Sequence, residues 1–174
     1  MIPIPIRPAE PPDLAAITLI YEHAVRHGTA SFEIEPPSER EMAQRYEALR
    51  VGAYPYLVAE LDREIVGYAY TAPYRARPAY RWSVEDSIYI APAMQRRGIG
   101  RALLERLIAE AEAGGFRQMI AVIGDSAQTP SIALHRACAF RLIGTFEAVG
   151  FKFDRWLDSV LMQRALGPGG ATAP

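Results

Sequence analysis

Cysteine is nearly absent: Cys138 is the only one among 174 residues, which excludes an intramolecular disulfide and any cysteine-rich metal site. Charge of one sign is not in surplus either. With 19 Lys+Arg against 20 Asp+Glu the formal charge is −1, so neither nucleic acid nor an anionic membrane is expected as a bulk partner. No apolar run approaches the length of a membrane span or a signal-peptide core. With a single unpaired thiol, this points to the cytoplasm. No internal repeat and no metal-ligand cluster stands out. The common nucleotide loops are missing as well: no lysine follows Gly100, as a Walker loop requires, and Leu103 stands where a Rossmann fingerprint has its third glycine.

What is present suffices for one domain with a substantial core, since half of the residues are hydrophobic. Residues 3–7 read as a short strand, and Asp13 as the cap of an amphipathic helix carrying Leu14, Ile17, Leu19, Ile20, Ala24 and Val25. A loop over 28–37 leads to a second helix, where Ser38 and Glu41 form a capping box and Met42, Tyr46 and Leu49 recur at helical spacing. Residues 56–61 and 65–72 are β-rich and joined by Asp62-Arg63-Glu64 as a hairpin, and 82–90 continues the sheet. A helix follows over 101–113, then a buried parallel strand over 119–123, a short helix over 131–138, and a closing antiparallel pair over 142–149 and 156–163. The order β-α-α-β-β-β-α-β-α-β-β gives an α/β fold: one mixed, twisted sheet with helices on both faces. The single domain spans 1–166, and the Gly/Pro/Ala-rich residues 167–174 read as a disordered tail.

The richest segment is Gln95-Arg96-Arg97-Gly98-Ile99-Gly100, between a strand-like run and a strong helix. A strand that turns through two glycines into a helix offers unpaired backbone N–H groups where the macrodipole favours an anion. Gly98 and Gly100 permit close backbone approach, and Arg96, Arg97 and Arg101 add positive charge, so a diphosphate is the expected ligand. A plain glycine-containing turn with solvated arginines is the alternative.

Gln/Arg-x-x-Gly-x-Gly/Ala opening a helix after a strand resembles the acyl-CoA loop of the GNAT acetyltransferases. The stretch from Pro73 to Ile90 is similar to the phosphinothricin N-acetyltransferase branch and its amino-acid-acetylating relatives. So are Thr29 to Glu33, Val122 to Asp125, Ser131 to His135 and Gly150 to Trp156, and the resemblance runs from about Ile6 to Leu166. It implies a GNAT fold, acetyl-CoA as co-substrate with no metal, and acetyl transfer to the α-amine of phosphinothricin, methionine sulfoximine, methionine sulfone or a similar small amino acid. It also implies a homodimer, for which Lys152 and Trp156 match a shared hairpin that borders the site.

Residue roles follow from the same resemblance. A protonated amine cannot attack a thioester until it loses a proton, and Glu85 matches the family's proposed base. On a half-buried strand its proton affinity would be raised, and Asp86 would point to the opposite face. His135, seven residues after Gln128, matches a histidine that donates a proton to the leaving thiolate or handles the amine. For acetyl-CoA the matching positions are Ile88, Tyr89, Ile90, Arg96, Arg97, Gly98, Ile99, Gly100, Arg101, Gln128 and Ser131. For the amine substrate they are Phe32, Glu33, Arg75, Arg77, Tyr80 and Tyr89, with the arginines suited to a carboxylate or phosphinate. Each has an alternative as ordinary packing or solvated charge.

Three positions depart from the pattern. Gln128 replaces an asparagine near the pantetheine arm; Ala139 stands where relatives have glycine, a strain of about 1 kcal/mol if it is left-handed; and Asp154 occupies a glycine position of the hairpin. Two other readings stay open. One is a protein N-terminal or other small-amine acetyltransferase on the same fold, which would show an open groove instead of a pocket walled by Phe32, Arg77 and Tyr80. The other is a non-catalytic acyl-CoA sensor. Cys138, among apolar neighbours, reads as a small buried hydrophobe and not as a nucleophile.

Overall fold

A computed structural model describes residues 4–174. In chain order the elements are β1 (Ile6–Pro8), α1 (Leu14–His27), α2 (Glu39–Val51), β2 (Tyr56–Leu61), β3 (Glu64–Pro73), β4 (Ser83–Ile90), α3 (Ile99–Ala113), β5 (Gln118–Gly124), α4 (Thr129–Ala137), β6 (Arg141–Lys152) and β7 (Arg155–Ala165). The expected order of strands and helices is therefore the observed one. The strands form one sheet in the order β1-β2-β3-β4-β5-β7-β6. Among the described residues only β4 and β5 run parallel, joined by the α3 crossover.

Two cores flank the sheet because its strands alternate side chains between faces. On one face Leu103, Leu104 and Leu107 of α3 pack against Leu57, Val84, Met119 and Met162, with Cys138 and Phe140 at the edge. On the other, Ile17 and Val25 of α1 and Tyr46 of α2 pack against Tyr56, Val58 and Tyr68. Burial pushes the Cys138 thiol up, as an inert core group requires. Strand β4 shows the division most clearly: Val84, Asp86, Ile88 and Ile90 face the α3/α4 side, while Glu85, Ser87 and Tyr89 face the α1/α2 side.

Local chemistry sets the element ends. The Ser38 hydroxyl accepts the Glu41 N–H at 3.2 Å, whereas the Glu41 carboxylate turns away to Arg45 at 2.6 Å. Between β2 and β3 the turn is tighter than expected, with Asp62 and Arg63 at φ 50° and 66° and Glu64 already in the strand. At the end of α4, Ala139 takes φ 63°, so the left-handed case in which alanine carries strain applies. Phe153 and Asp154 take φ 54° and 56°, so both central residues of the β6–β7 turn are left-handed without a glycine.

Four expectations need correction. The first strand begins at Ile6 and runs to Pro8; Pro3, expected within it, lies outside the described residues. Asp13 does not cap α1 with its side chain. Its carboxylate instead accepts from the Glu10 N–H at 2.8 Å and from two Arg7 nitrogens at 2.8 and 2.9 Å, an ion pair that outcompetes the cap. Leu19, assigned to the apolar face of α1, is 66% exposed. Finally, residues 167–174 form successive turns, with Arg117 donating to the Gly169 carbonyl, the Thr172 hydroxyl and the Ala173 carbonyl.

Candidate active site

Strands β4 and β5 pair only from Ser83 to Asp86 and from Gln118 to Ala121. Beyond that register they part, while β4 stays bonded to β3 as far as Ile90. The gap opens into a cleft of about 1220 Å³, more than an ordinary small-ligand pocket needs. Ile88, Tyr89 and Ile90 line one side, so backbone groups of β4 that would have met β5 face the cleft. At its mouth lies the glycine loop. Gly98 adopts φ 82° with open space where a Cβ would sit, and α3 begins at Ile99. The first intrahelical bond is Ala102 N–H to the Gly98 carbonyl at 3.1 Å, leaving the N–H groups of Ile99, Gly100 and Arg101 free of helical partners. Arg96, Gly98, Ile99, Gly100 and Arg101 all line the cleft; Arg97 is exposed outside it. This is a cradle for an anionic group of diphosphate size.

Glu85 lines the same cleft from the α1/α2 side of β4. Its carboxyl is pushed up to about 7, first by burial, then by the charge of Asp86, with Arg75 opposing. A carboxylate with that affinity exchanges protons near neutral pH.

His135 also borders the cleft but is buried, and both of its ring nitrogens are engaged. Nε2 lies 2.9 Å from Asp86 Oδ2, and Nδ1 lies 2.8 Å from the Ser131 carbonyl. Burial pulls the imidazole down, but the bonds to Asp86 and Ser131 outweigh it and leave its proton affinity raised. The expectation of a donor free to reach the thiolate or amine is thus corrected: neither nitrogen is available in this arrangement. Gln128, expected beside the pantetheine arm, instead donates from Nε2 to the Thr29 hydroxyl at 2.9 Å, although it still lines the cleft, as Ser131 does.

The loop after α1 is strapped down from the far end of the chain. Buried Lys152 donates from Nζ to the Gly28 carbonyl at 3.0 Å and to the Ser31 carbonyl at 2.8 Å. The Phe32 ring lies over Gly124 and Gly150, where any Cβ would collide with it. That seats Phe32 in the cleft wall beside Tyr21, Tyr70 and Tyr89. Glu33 does not reach the cleft; it accepts from the Tyr21 hydroxyl at 2.8 Å and from Arg45 at 2.6 Å. Arg75, Arg77 and Tyr80, expected against the substrate, lie in an exposed loop outside the cleft lining. There Arg75 covers the Tyr74 ring at 5.0 Å and Tyr80 meets Tyr74 edge-on at 5.7 Å. Of this loop, Arg75 exerts its charge on Glu85. Tyr21 and Lys152 are the side chains that sequence reasoning underrated. Tyr21 lies four positions after Ile17 and four before Val25 on the buried stripe, and that helical spacing was the available signal.

Residues 18–140 match the Acetyltransferase (GNAT) family. The chain is similar to a phosphinothricin N-acetyltransferase of Alcaligenes faecalis, 52% identical over 97% of this chain and 86% of the relative. It is also similar to an L-methionine sulfoximine/L-methionine sulfone acetyltransferase of Salmonella typhimurium, 41% identical over 92% of this chain and 94% of the relative. Among solved structures, a GNAT superfamily phosphinothricin acetyltransferase from Sinorhizobium meliloti in complex with acetyl-CoA superposes with a TM-score of 0.96 at 50% identity, covering 98% of this chain and 92% of that one.

Proposed function

Because this chain belongs to the GNAT family of acetyltransferases, we propose that its cleft acetylates the α-amine of a small amino acid, with Glu85 as the base. The chain is an acetyl-CoA-dependent N-acetyltransferase. Bound acetyl-CoA supplies an acetyl group activated as a thioester. The open N–H groups at the start of α3 hold its diphosphate, and Arg96 and Arg101 flank them. The edge of Ile88 to Ile90 that β5 leaves open, together with Ser131, would hold the pantetheine arm.

The observation that carries the assignment of the base is the place of Glu85: it lies on the strand that leads into the glycine loop, in the cleft, with its carboxyl pushed up to about 7. Ionised Glu85 takes a proton from the ammonium of the acceptor, directly or through water, and frees the nitrogen lone pair for attack. Phe32, Tyr70 and Tyr89 form the wall around the acceptor side chain. Arg75 and Arg77, in the exposed loop outside the cleft lining, are the proposed partners of its carboxylate, and the charge that Arg75 exerts on Glu85 supports this for Arg75. The acceptors proposed are phosphinothricin, methionine sulfoximine and methionine sulfone, supported by the activities named for the two similar enzymes.

A homodimer belongs to this reading, as does a cytoplasmic location. Strand β6 is an edge strand that exposes Leu142, Phe146, Val149 and Phe151, and Trp156 of β7 adds to the apolar face. Such a face on a sheet edge favours a symmetric copy as its cover. Residues 1–166 act as one catalytic domain. The test is thiol release from acetyl-CoA with a panel of amino acids, the three named acceptors and a short peptide with a free N-terminus. Rapid release with the named acceptors, abolished in Glu85→Gln, is expected. Wild-type turnover by that variant removes the base, and preference for the peptide replaces the substrate class. Light scattering that reports only monomer at micromolar concentration removes the dimer.

A further inference from the structure

Asp86 is the last residue of β4 that pairs with β5, opposite Ala121, and so stands at the vertex where the two strands part. His135 reaches this vertex from α4, and the two side chains are 1% and 5% exposed. The Ser131 carbonyl can only accept, so His135 Nδ1 carries a hydrogen. One proton then lies between Nε2 and Asp86 Oδ2, and the raised proton affinity of His135 puts it on Nε2, leaving Asp86 a carboxylate. The imidazole is spent on its two neighbours, and the carboxylate keeps one oxygen, Oδ1, buried without a protein partner. Glu85 precedes Asp86 and projects from the opposite face of the strand.

We propose that Asp86 is a positioning residue of the acetyl transfer: with His135 it pins α4 to the vertex of the fork and sets a carboxylate next to Glu85, with the compensating imidazolium on the far side of that carboxylate. The pin joins the strand bearing the base to the helix bearing Ser131, so the two sides of the cleft keep one spacing. The charge makes Glu85 hold its proton more tightly than burial alone would. Around Glu85 the other ionisable neighbours are Arg75 in the loop after β3 and Tyr70 on β3; behind Asp86 stand His135 and Cys138. Of these, Asp86 alone among the carboxylates raises Glu85.

The inference rests on Glu85 being the base, and the experiment separates the two. Wild type, Asp86→Asn, Asp86→Ser and Glu85→Gln are compared by the pH profile of kcat/KM for the best acceptor amine, by acetyl-CoA affinity and by thermal unfolding. Asp86→Asn can donate its amide to a neutral His135 and so keeps the pin while losing the charge. Its acid limb should move down by about one pH unit, with acetyl-CoA affinity within about two-fold of wild type. Asp86→Ser loses both pin and charge, and should show the same displaced limb with a further loss of kcat. A folded Asp86 variant whose acid limb coincides with that of wild type overturns the proposal. Activity retained in Glu85→Gln refutes the base instead and leaves the pin to be judged by a measurement that needs no variant. In wild type labelled with 15N-histidine, His135 should show both ring N–H signals across neutral pH. An imidazole with a free Nε2 lone pair overturns the pin.

Discussion

Replacing Glu85 by glutamine should make the protein more stable at alkaline pH while removing its activity, and the size of the gain follows from where the carboxylate sits. Burial and Asp86 raise its affinity for a proton from the ordinary 4.5 to about 7. Between those values the folded chain holds a proton that the unfolded chain has released, so stability falls as pH rises through this window, and the cost is fully developed above about 7. At 1.36 kcal/mol per pH unit the rise would amount to about 3 kcal/mol. Access of the carboxylate to the cleft and to water reduces this to about 1–2 kcal/mol. Glutamine is nearly the same shape and never ionises. Unfolding free energies from urea titrations of wild type and Glu85→Gln should therefore nearly coincide at pH 4.5 and differ by that amount at pH 8. Refutation would be a difference between the two proteins that does not change with pH. That result would mean that Glu85 is solvated in the folded state, and with it the physical basis for a base poised near neutrality would go.

Other perturbations probe the frame around the site. Ala139→Gly should raise stability by about 1 kcal/mol, because φ 63° costs alanine and not glycine; an unchanged unfolding midpoint would contradict the strain. Lys152→Met should loosen the 28–31 loop and raise KM for the amine about ten-fold, the worth of one charge-assisted hydrogen bond, with acetyl-CoA affinity unchanged. Equal loss of both by calorimetry and kinetics would disprove a loop-specific role. Gly150→Ala should displace the Phe32 ring from the cleft wall, seen as a larger loss of kcat/KM for bulky acceptors than for glycine. Asp13 is held below the usual carboxylate range by its bonds to Arg7, so its contribution is present above the ordinary value of 3.8 and lost as pH falls through its lowered one. Accordingly, Asp13→Asn should unfold at lower temperature than wild type at pH 7, with the gap closing toward pH 2 in thermal scans.

Much of this was legible in the chain because its signals are local. Helical spacing in 101–113, alternation in the strands and the turn residues between them announce element type and order. Glu85 and the glycine loop are separated by one strand and a turn, so a linear motif carries both. Contacts between distant residues left no such mark. Asp86 and His135 are 49 positions apart, Lys152 and Ser31 are 121 apart, and each pair meets only because the fold sets β4 against α4 and β6 against the loop after α1. Gln128 shows the same limit from the other side: its position in the motif was readable, but its rotation toward Thr29 depends on a loop 99 residues earlier. Leu19 misled through its apolar character, although two positions from both Ile17 and Tyr21 it falls on the side of α1 away from the buried stripe.

The insertion of β7 between β5 and β6 has a consequence for how the chain can be made. During translation β6 leaves the ribosome before the neighbour to which it bonds exists, and β5 waits with one edge bare. Ribosomes halted before Arg155 would therefore release chains that lack, of the cleft lining, only Ser159 but have an unfinished scaffold, whose bare edges invite chaperones and proteases.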